Sequence, residues 1–280
     1  MENEIEKLKK VGIIALEKAY KTHQKLGAEG EETIRKNQFG DTALKVDVEI
    51  ERAILEFLKE SKIPIRVISE EHGITNITEN PRYLGIMDGL DGSGVYKRER
   101  GKGRYGTMFA IFSNLNPRYE DYFFSGVMEH SKNRLFYALK DKGSFIIEKG
   151  KEKRIFCSRV TELNKETKIY VDEYFEFNRK TFSSKLRGFN FKCLLSSSMH
   201  YSDLADGKVD MVLECTRKRN LEIAVAFGLI NEAGGIIMDI NGNSIGDQEY
   251  LTFGQKGFMS IISSCTKELG IELIRHIRGI

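Results

Sequence analysis

The chain has 280 residues, 40% of them hydrophobic and 30% charged, with a formal net charge of +3. This is the make-up of a globular protein with room for one large domain or two tightly joined halves. It gives no general affinity for a nucleic-acid polymer, and no apolar run approaches the roughly 18 residues of a membrane span. The charged start, Met1 to Lys10, lacks the apolar stretch of a secretory signal, and Cys157, Cys193, Cys215 and Cys265 form no C-x-x-C pair. A cytoplasmic chain with free thiols is the expectation.

Ile5, Leu8, Ala15, Leu16 and Ala19 recur at helical spacing and predict an amphipathic first helix. A polar passage, Gly27 to Gly40, separates it from a second helical pattern that Asp47 leads into, with Ile50, Ile54, Phe57 and Leu58 on one face. After Pro64 short strands are predicted at Ile65–Ile68 and Tyr83–Met87, then at 107–112, 122–127, 134–139 and 144–147, a spacing that suggests an antiparallel meander. The charged stretch Glu148 to Arg154 reads as a hairpin tip or as the seam between two halves, 1–150 and 151–280. Beyond it, strands at 169–171, 191–194 and 209–213 alternate with helical or polar stretches. A helix over Leu221–Ala233 stops at Gly234-Gly235, a strand follows at 236–240, and another at 260–263 precedes a C-terminal helix from Lys267. Layered helices and mixed sheets, an α+β fold, are the expected result.

Two acidic sets stand where predicted strands give out. Glu70 and Glu71 follow Ile65–Ile68; Asp88 and Asp91 follow Tyr83–Met87 in the turn Asp88-Gly89-Leu90-Asp91-Gly92-Ser93. If the two strands are neighbours, the carboxylates converge at one end of a sheet. Magnesium takes hard oxygen ligands and bridges carboxylates to phosphate, and the glycines permit a tight backbone with exposed amides. Isolated Asp-Gly pairs also occur in ordinary solvated turns; Asp47 and the glutamate pair favour the metal.

In these motifs the sequence resembles the inositol monophosphatase family of metal-dependent, lithium-sensitive phosphatases. The family's D-P-[IL]-D-G-[TS] is matched by Asp88 to Ser93, its upstream Glu-Glu by Glu70-Glu71, and its D-x-x-T-x-x-D-like stretch by Asp41 to Asp47 with Leu44 for the threonine. Its C-terminal W-D-x-A…E-A-G-G is similar to Leu221-Glu222-Ile223-Ala224 running to Glu232-Ala233-Gly234-Gly235. The resemblance implies a layered αβαβα sugar-phosphatase fold and an enzyme that hydrolyses a sugar or polyol phosphate, inositol 1-phosphate or fructose 1,6-bisphosphate. Two or three Mg2+ ions, with Mn2+ as a substitute, are its implied cofactors, and a homodimer its implied assembly.

Carried over residue by residue, one metal would take Glu70, Asp88 and the Leu90 carbonyl, and a second Asp88, Asp91 and Glu222. Asp47 and Ser93 would orient and deprotonate the attacking water, while Gly92 and Ser93 hold phosphate. Ser197, Glu214, Arg217 and Arg219 are the implied substrate contacts. Three departures stand out: Gly89 for proline, Glu222 for aspartate and Leu221 for tryptophan. They leave open a catalytically weakened relative that only binds; if the enzyme is active, shortening Glu222 to aspartate is expected to keep or raise activity. Basic clusters at 97–104 and 217–219 favour extra phosphate, so a 3′-phosphoadenosine 5′-phosphate or dinucleotide phosphatase is the alternative. The glycines at 101, 103 and 106 precede a strand rather than open a helix, which excludes a dinucleotide fingerprint.

Overall fold

The computed structural model describes residues 2–279. α1 (Glu2–Leu26) buries Leu8, Ala15, Leu16 and Ala19 as its periodicity predicts. A single 3-10 turn leads to a hairpin of β1 (Thr33–Lys36) and β2 (Thr42–Leu44) inside the passage read as merely polar. All four residues of β1 are exposed, so no alternation betrays it. In α2 (Lys45–Glu60), Asp47 at the third helical position accepts the Leu44 backbone N–H at 2.7 Å, satisfying a donor that the first turn leaves unpaired.

Eight strands form the larger sheet: β3 (Ile65–Ser69), β4 (Gly73–Asn76), β5 (Tyr83–Asp91), β6 (Gly106–Phe112), β7 (Tyr122–Glu129), β8 (Arg134–Leu139), β9 (Gly143–Glu148) and β10 (Lys151–Ile155), with a short α3 (Ser93–Glu99) between β5 and β6. Their order is β10-β9-β8-β7-β6-β5-β3-β4, and only β3 and β5 run parallel. The charged stretch after β9 is thus a hairpin arm: β10 pairs antiparallel with β9 from Lys151 onward. The second sheet follows from β11 (Ile169–Val171), α4 (Glu176–Thr181), β12 (Phe191–Lys192), α5 (Ser197–Ala205), β13 (Met211–Cys215), α6 (Leu221–Glu232), β14 (Ile236–Asp239), β15 (Ser260–Ser264) and α7 (Lys267–Arg278), in the order β12-β11-β13-β15-β14.

The layers are αβαβα. Along β5, Tyr83 and Met87 point into the core under α1 and α2, whereas Leu84 and Ile86 point into the core shared with α6 and the smaller sheet. α5 and α6 lie between the sheets, and α7 packs on β15. With helices on both faces, β5 is buried along all nine residues, so its two aspartates lie in the interior. No helix among the described residues is long and apolar enough to cross a membrane.

Candidate active site

The acidic turn predicted to follow the Tyr83 strand is a bulge within it. Asp88 pairs with Met108 and Asp91 with Gly106, so β5 carries one residue more than β6 over this span. A bulge turns side chains that would alternate toward one side. Thr107 Oγ1 pins it by donating to the Gly89 carbonyl at 2.7 Å, and the Leu90 N–H closes it on Asp88 Oδ1 at 3.0 Å. Gly89 has no freedom to be larger: a Cβ there would lie 2.6 Å from the Asp47 carbonyl oxygen and 2.8 Å from Glu51 Cγ. The α2 backbone therefore packs directly on the bulge, which is why proline is absent and how Asp47 is brought to the site.

Carboxylate oxygens of Asp88, Asp91 and Glu222 lie within 4.8 Å of one another. All three residues are buried, at 4%, 8% and 3% exposure, an arrangement that like charges resist unless a cation joins them. Burial first, then repulsion from Glu70, Asp91 and Glu222, holds the Asp88 carboxyl well above the usual carboxylate range. Asp91 is raised by burial and by Glu222, against hydrogen bonds from Ser196 Oγ (2.6 Å) and the Ser198 N–H (2.7 Å). Burial also raises Asp47. This set of hard oxygen donors fits Mg2+: Asp88, Asp91 and Glu222 would hold one ion, with Glu70 beside Asp88 available to another.

Glu70 and Glu71 stand where β3 gives out, as expected, and Asn37 of the β1–β2 hairpin donates to both, at 2.9 and 3.0 Å. Glu51, unnoticed in the sequence, is fully buried and accepts the Glu71 and His72 N–H groups, fixing the turn that aims the pair. Asp47, Glu70, Asp88, Leu90, Asp91 and Glu222 line one cavity of about 540 Å3, together with Gly92, Ser93 and Ser197.

Two cations enter this cavity. Arg217 donates to Glu222 Oε1 at 2.5 Å and to Ser197 Oγ at 3.1 Å, and Lys218 Nζ lies 2.9 Å from Glu70 Oε1 and 2.6 Å from Asp41 Oδ2. They are delivered by three consecutive left-handed residues, Lys218, Arg219 and Asn220, with φ of 43°, 59° and 56°. Each such residue costs about 1–2 kcal/mol. Asn220 holds the turn: its Oδ1 accepts the Arg217 N–H at 2.9 Å and its Nδ2 donates to the Phe253 carbonyl at 2.8 Å. Arg217, an expected substrate contact, lines the cavity; Lys218 was not singled out in the sequence, and no propensity signals a left-handed run without glycine.

Two of the expected substrate contacts, Glu214 and Arg219, do not line this cavity. Glu214 on β13 is 1% exposed, does not line the cavity, and accepts hydrogen bonds from Tyr201 and Ser197 behind its wall. Burial raises its pKa to about 8. Arg219 lines a separate, adjoining cavity and has no side-chain partner among the described residues.

The chain is a layered αβαβα fold that carries a buried acidic cluster able to hold a metal ion. The model of the inositol monophosphatase family matches residues 1–277, and the chain belongs to that family. A Pyrococcus horikoshii protein described as having similarities to inositol-1 monophosphatase is 22% identical, with 97% of this chain and 98% of that one covered and a TM-score of 0.74. The extragenic suppressor protein suhB of Bartonella henselae is 18% identical over 98% and 99%, with a TM-score of 0.77. At these identities the likeness establishes the fold. Among curated proteins, a bifunctional NADP phosphatase/NAD kinase of Methanococcus maripaludis is 26% identical over 192 residues, 64% of this chain. The matched region spans about a third, 34%, of that relative's length.

Proposed function

We propose that the protein is a Mg2+-dependent phosphomonoesterase acting on a small phosphorylated molecule. The observation that carries this reading is the convergence of Asp88, Asp91 and Glu222 within 4.8 Å, with Glu70 raised by burial beside them. Bound Mg2+ supplies Lewis-acid charge to the phosphoryl oxygens and lowers the pKa of water. Asp47, whose one oxygen is held by the Leu44 N–H, accepts the proton of the attacking water relayed through the Ser93 hydroxyl. Gly92 and Ser93 hold the phosphate, while Arg217 orients it from the opposite wall. Phosphoryl transfer demands mainly positioning and charge neutralisation, and these residues supply both.

A sugar or polyol phosphate, inositol 1-phosphate or fructose 1,6-bisphosphate, fits such a site. A nucleotide ester is the second reading, favoured by the aromatic cavity that adjoins the acidic one. Phosphate release from inositol 1-phosphate, fructose 1,6-bisphosphate, NADP and 3′-phosphoadenosine 5′-phosphate, with and without Mg2+, tests the activity. Mg2+-dependent release that Asp88→Asn abolishes is the expected result. Release from none of them, or turnover surviving Asp88→Asn, would overturn it.

A further inference from the structure

Beside the acidic cavity lies a second one of about 350 Å3, and the two share Asp41, Phe175, Arg217 and Lys218. Its lining differs in kind. Phe39, Phe175 and Phe258 contribute three aromatic rings, Arg217, Lys218 and Arg219 three cations, and Gln255 an amide. Phe258 is 53% exposed, and its ring centroid lies 6.1 Å from that of Phe175 and 5.6 Å from that of Phe177. Tyr174, 68% exposed, meets Phe175 edge-on at 5.0 Å. Single exposed aromatics are unremarkable, but a contiguous group at the lip of a charged site marks a binding surface.

Which ligand suits it follows from the chemistry. The Arg217 guanidinium caps the Phe175 ring at 4.8 Å, so a cation that reaches the phosphate cavity is also part of an aromatic stack. Gln255 Nε2 is taken by the Tyr250 carbonyl at 2.9 Å, leaving its amide oxygen without a partner among the described residues. Arg219 is likewise unengaged. Gly254 and Gly257, at φ of 64° and 79°, shape the loop that carries Gln255 and Phe258; the Gly254 backbone packs so closely on Thr216 that a Cβ would lie 2.4 Å from its Cγ2. An inositol or hexose ring can set a C–H face on one phenyl ring, but its rim of hydroxyls leaves it less to gain from three. A planar heteroaromatic base has two π-faces for stacking and edge donors for an amide oxygen.

We propose that this second cavity is a base subsite, which favours the nucleotide ester over the sugar phosphate of the two readings above: the ester phosphate lies in the acidic cavity and the base stacks on Phe258 and Phe39. Arg219 then meets any further phosphate on the same nucleotide. The assignment of the ester to the acidic cavity rests on the phosphatase reading; the base subsite itself is testable without it.

The first measurement uses adenosine, which has no phosphate to hydrolyse. Saturation-transfer NMR on the full chain is expected to label the adenine H2 and H8 protons more strongly than the ribose protons. Phe258→Ala should weaken that transfer and Phe258→Trp retain it. Absence of transfer to adenine, or transfer undiminished in both Phe258→Ala and Phe39→Ala, would overturn the subsite. The second measurement compares kcat/KM for matched esters, adenosine 5′-monophosphate against ribose 5-phosphate and adenosine 2′-monophosphate against inositol 1-phosphate. The nucleotide should be favoured by about tenfold or more in at least one pair, the scale of one base–aromatic stack, with the ratio collapsing toward unity in Phe258→Ala. Equal kcat/KM in both pairs would refute the base subsite while leaving the phosphatase reading intact. No release from any ester would sink the phosphatase reading, and the adenosine result would still decide the subsite.

Discussion

The Lys218 ammonium lies 2.9 Å from Glu70 and 2.6 Å from Asp41, so a side chain from the β13–α6 turn joins the carboxylate at the end of β3 to the β1–β2 hairpin. Burial would lower the Lys218 pKa, yet Glu70 overrides it and holds the group firmly protonated. A fixed positive charge beside a proposed metal ligand competes with the metal. Lys218→Met should therefore tighten Mg2+ binding by about tenfold, or 1.4 kcal/mol, in calorimetry. Without Mg2+ the same variant should melt below the wild type, because Glu70 loses its counter-charge in a buried place. Unchanged or weaker Mg2+ affinity would show that Lys218 supports the metal site and does not compete with it.

Gly89 is fixed by contact with α2. A Cβ at this position would lie 2.6 Å from the Asp47 carbonyl oxygen, and backbone cannot rotate away as a side chain can. Gly89→Ala, or Gly89→Pro to restore the family's residue, should destabilise the fold by about 1–3 kcal/mol, the usual cost of overpacking. Activity should drop further than the lost stability accounts for, since the displaced α2 carries Asp47. A thermal melt and a phosphate-release assay on the two variants check this. A proline variant as stable and active as the wild type would mean that α2 has room to move.

Much of this was legible in the chain. Glu70, Asp88 and Asp91 follow strongly patterned strands, so pattern alone set them at strand ends, whereas Glu222 was singled out only through the family resemblance. The meander from Thr107 onward and the layered architecture were equally readable, because hydrophobic runs punctuated by turns carry that information. What escaped depends on backbone geometry or long-range contact. β1 has no buried face, so nothing in the pattern shows the hairpin whose turn brings Asn37 to Glu70 and Asp41 to Lys218. The left-handed run Lys218–Asn220 has no glycine to announce it, and it separates Arg217 and Lys218, in the acidic cavity, from Arg219, which lies outside it. Glu51 carries no signal that sets it apart from the other acids of α2, yet it is fully buried under the Glu71 turn.

Glu222 shows how a longer side chain is absorbed. It sits at the second position of α6, 3% exposed, with a carboxylate oxygen already within 4.8 Å of those of Asp88 and Asp91. Its Oε1 also accepts the Arg217 guanidinium at 2.5 Å. Shortening it withdraws the carboxylate by about one C–C bond, roughly 1.5 Å. The geometry thus argues against a gain from Glu222→Asp. Mg2+ affinity should fall by about tenfold, with kcat reduced and Arg217 released, and Glu222→Gln should be worse still for losing the charge. Calorimetry of both variants checks the order, and tighter binding by the aspartate variant would show that α6 moves to follow its acid.

Three histidines make stability sensitive to acid. Burial, with Arg100 nearby, lowers the His23 pKa to about 4; burial lowers His200 to about 3; and burial together with its stacking neighbour His23, 4.4 Å between ring centroids, lowers His130 well below its usual value. Each is neutral in the folded chain, while the unfolded chain takes up protons below about pH 6.5. Between pH 6.5 and 4 the unfolded state thus binds more protons, and stability, full above pH 6.5, declines as the pH falls. Thr107 Oγ1 gives its proton to the Gly89 carbonyl, so His130 Nε2 donates to Thr107 at 2.9 Å, and a further proton would have to go on Nδ1, which is buried with no partner among the described residues. The raised carboxyls of the acidic cavity act in the opposite sense. The comparison is therefore of wild type with His130→Gln, both at saturating Mg2+, by thermal melts from pH 7.5 to 4.5. The variant should lose less stability on acidification, by an amount approaching one proton in the slope. Parallel melting curves for the two proteins across that range would mean that His130 titrates alike in the folded and unfolded chains.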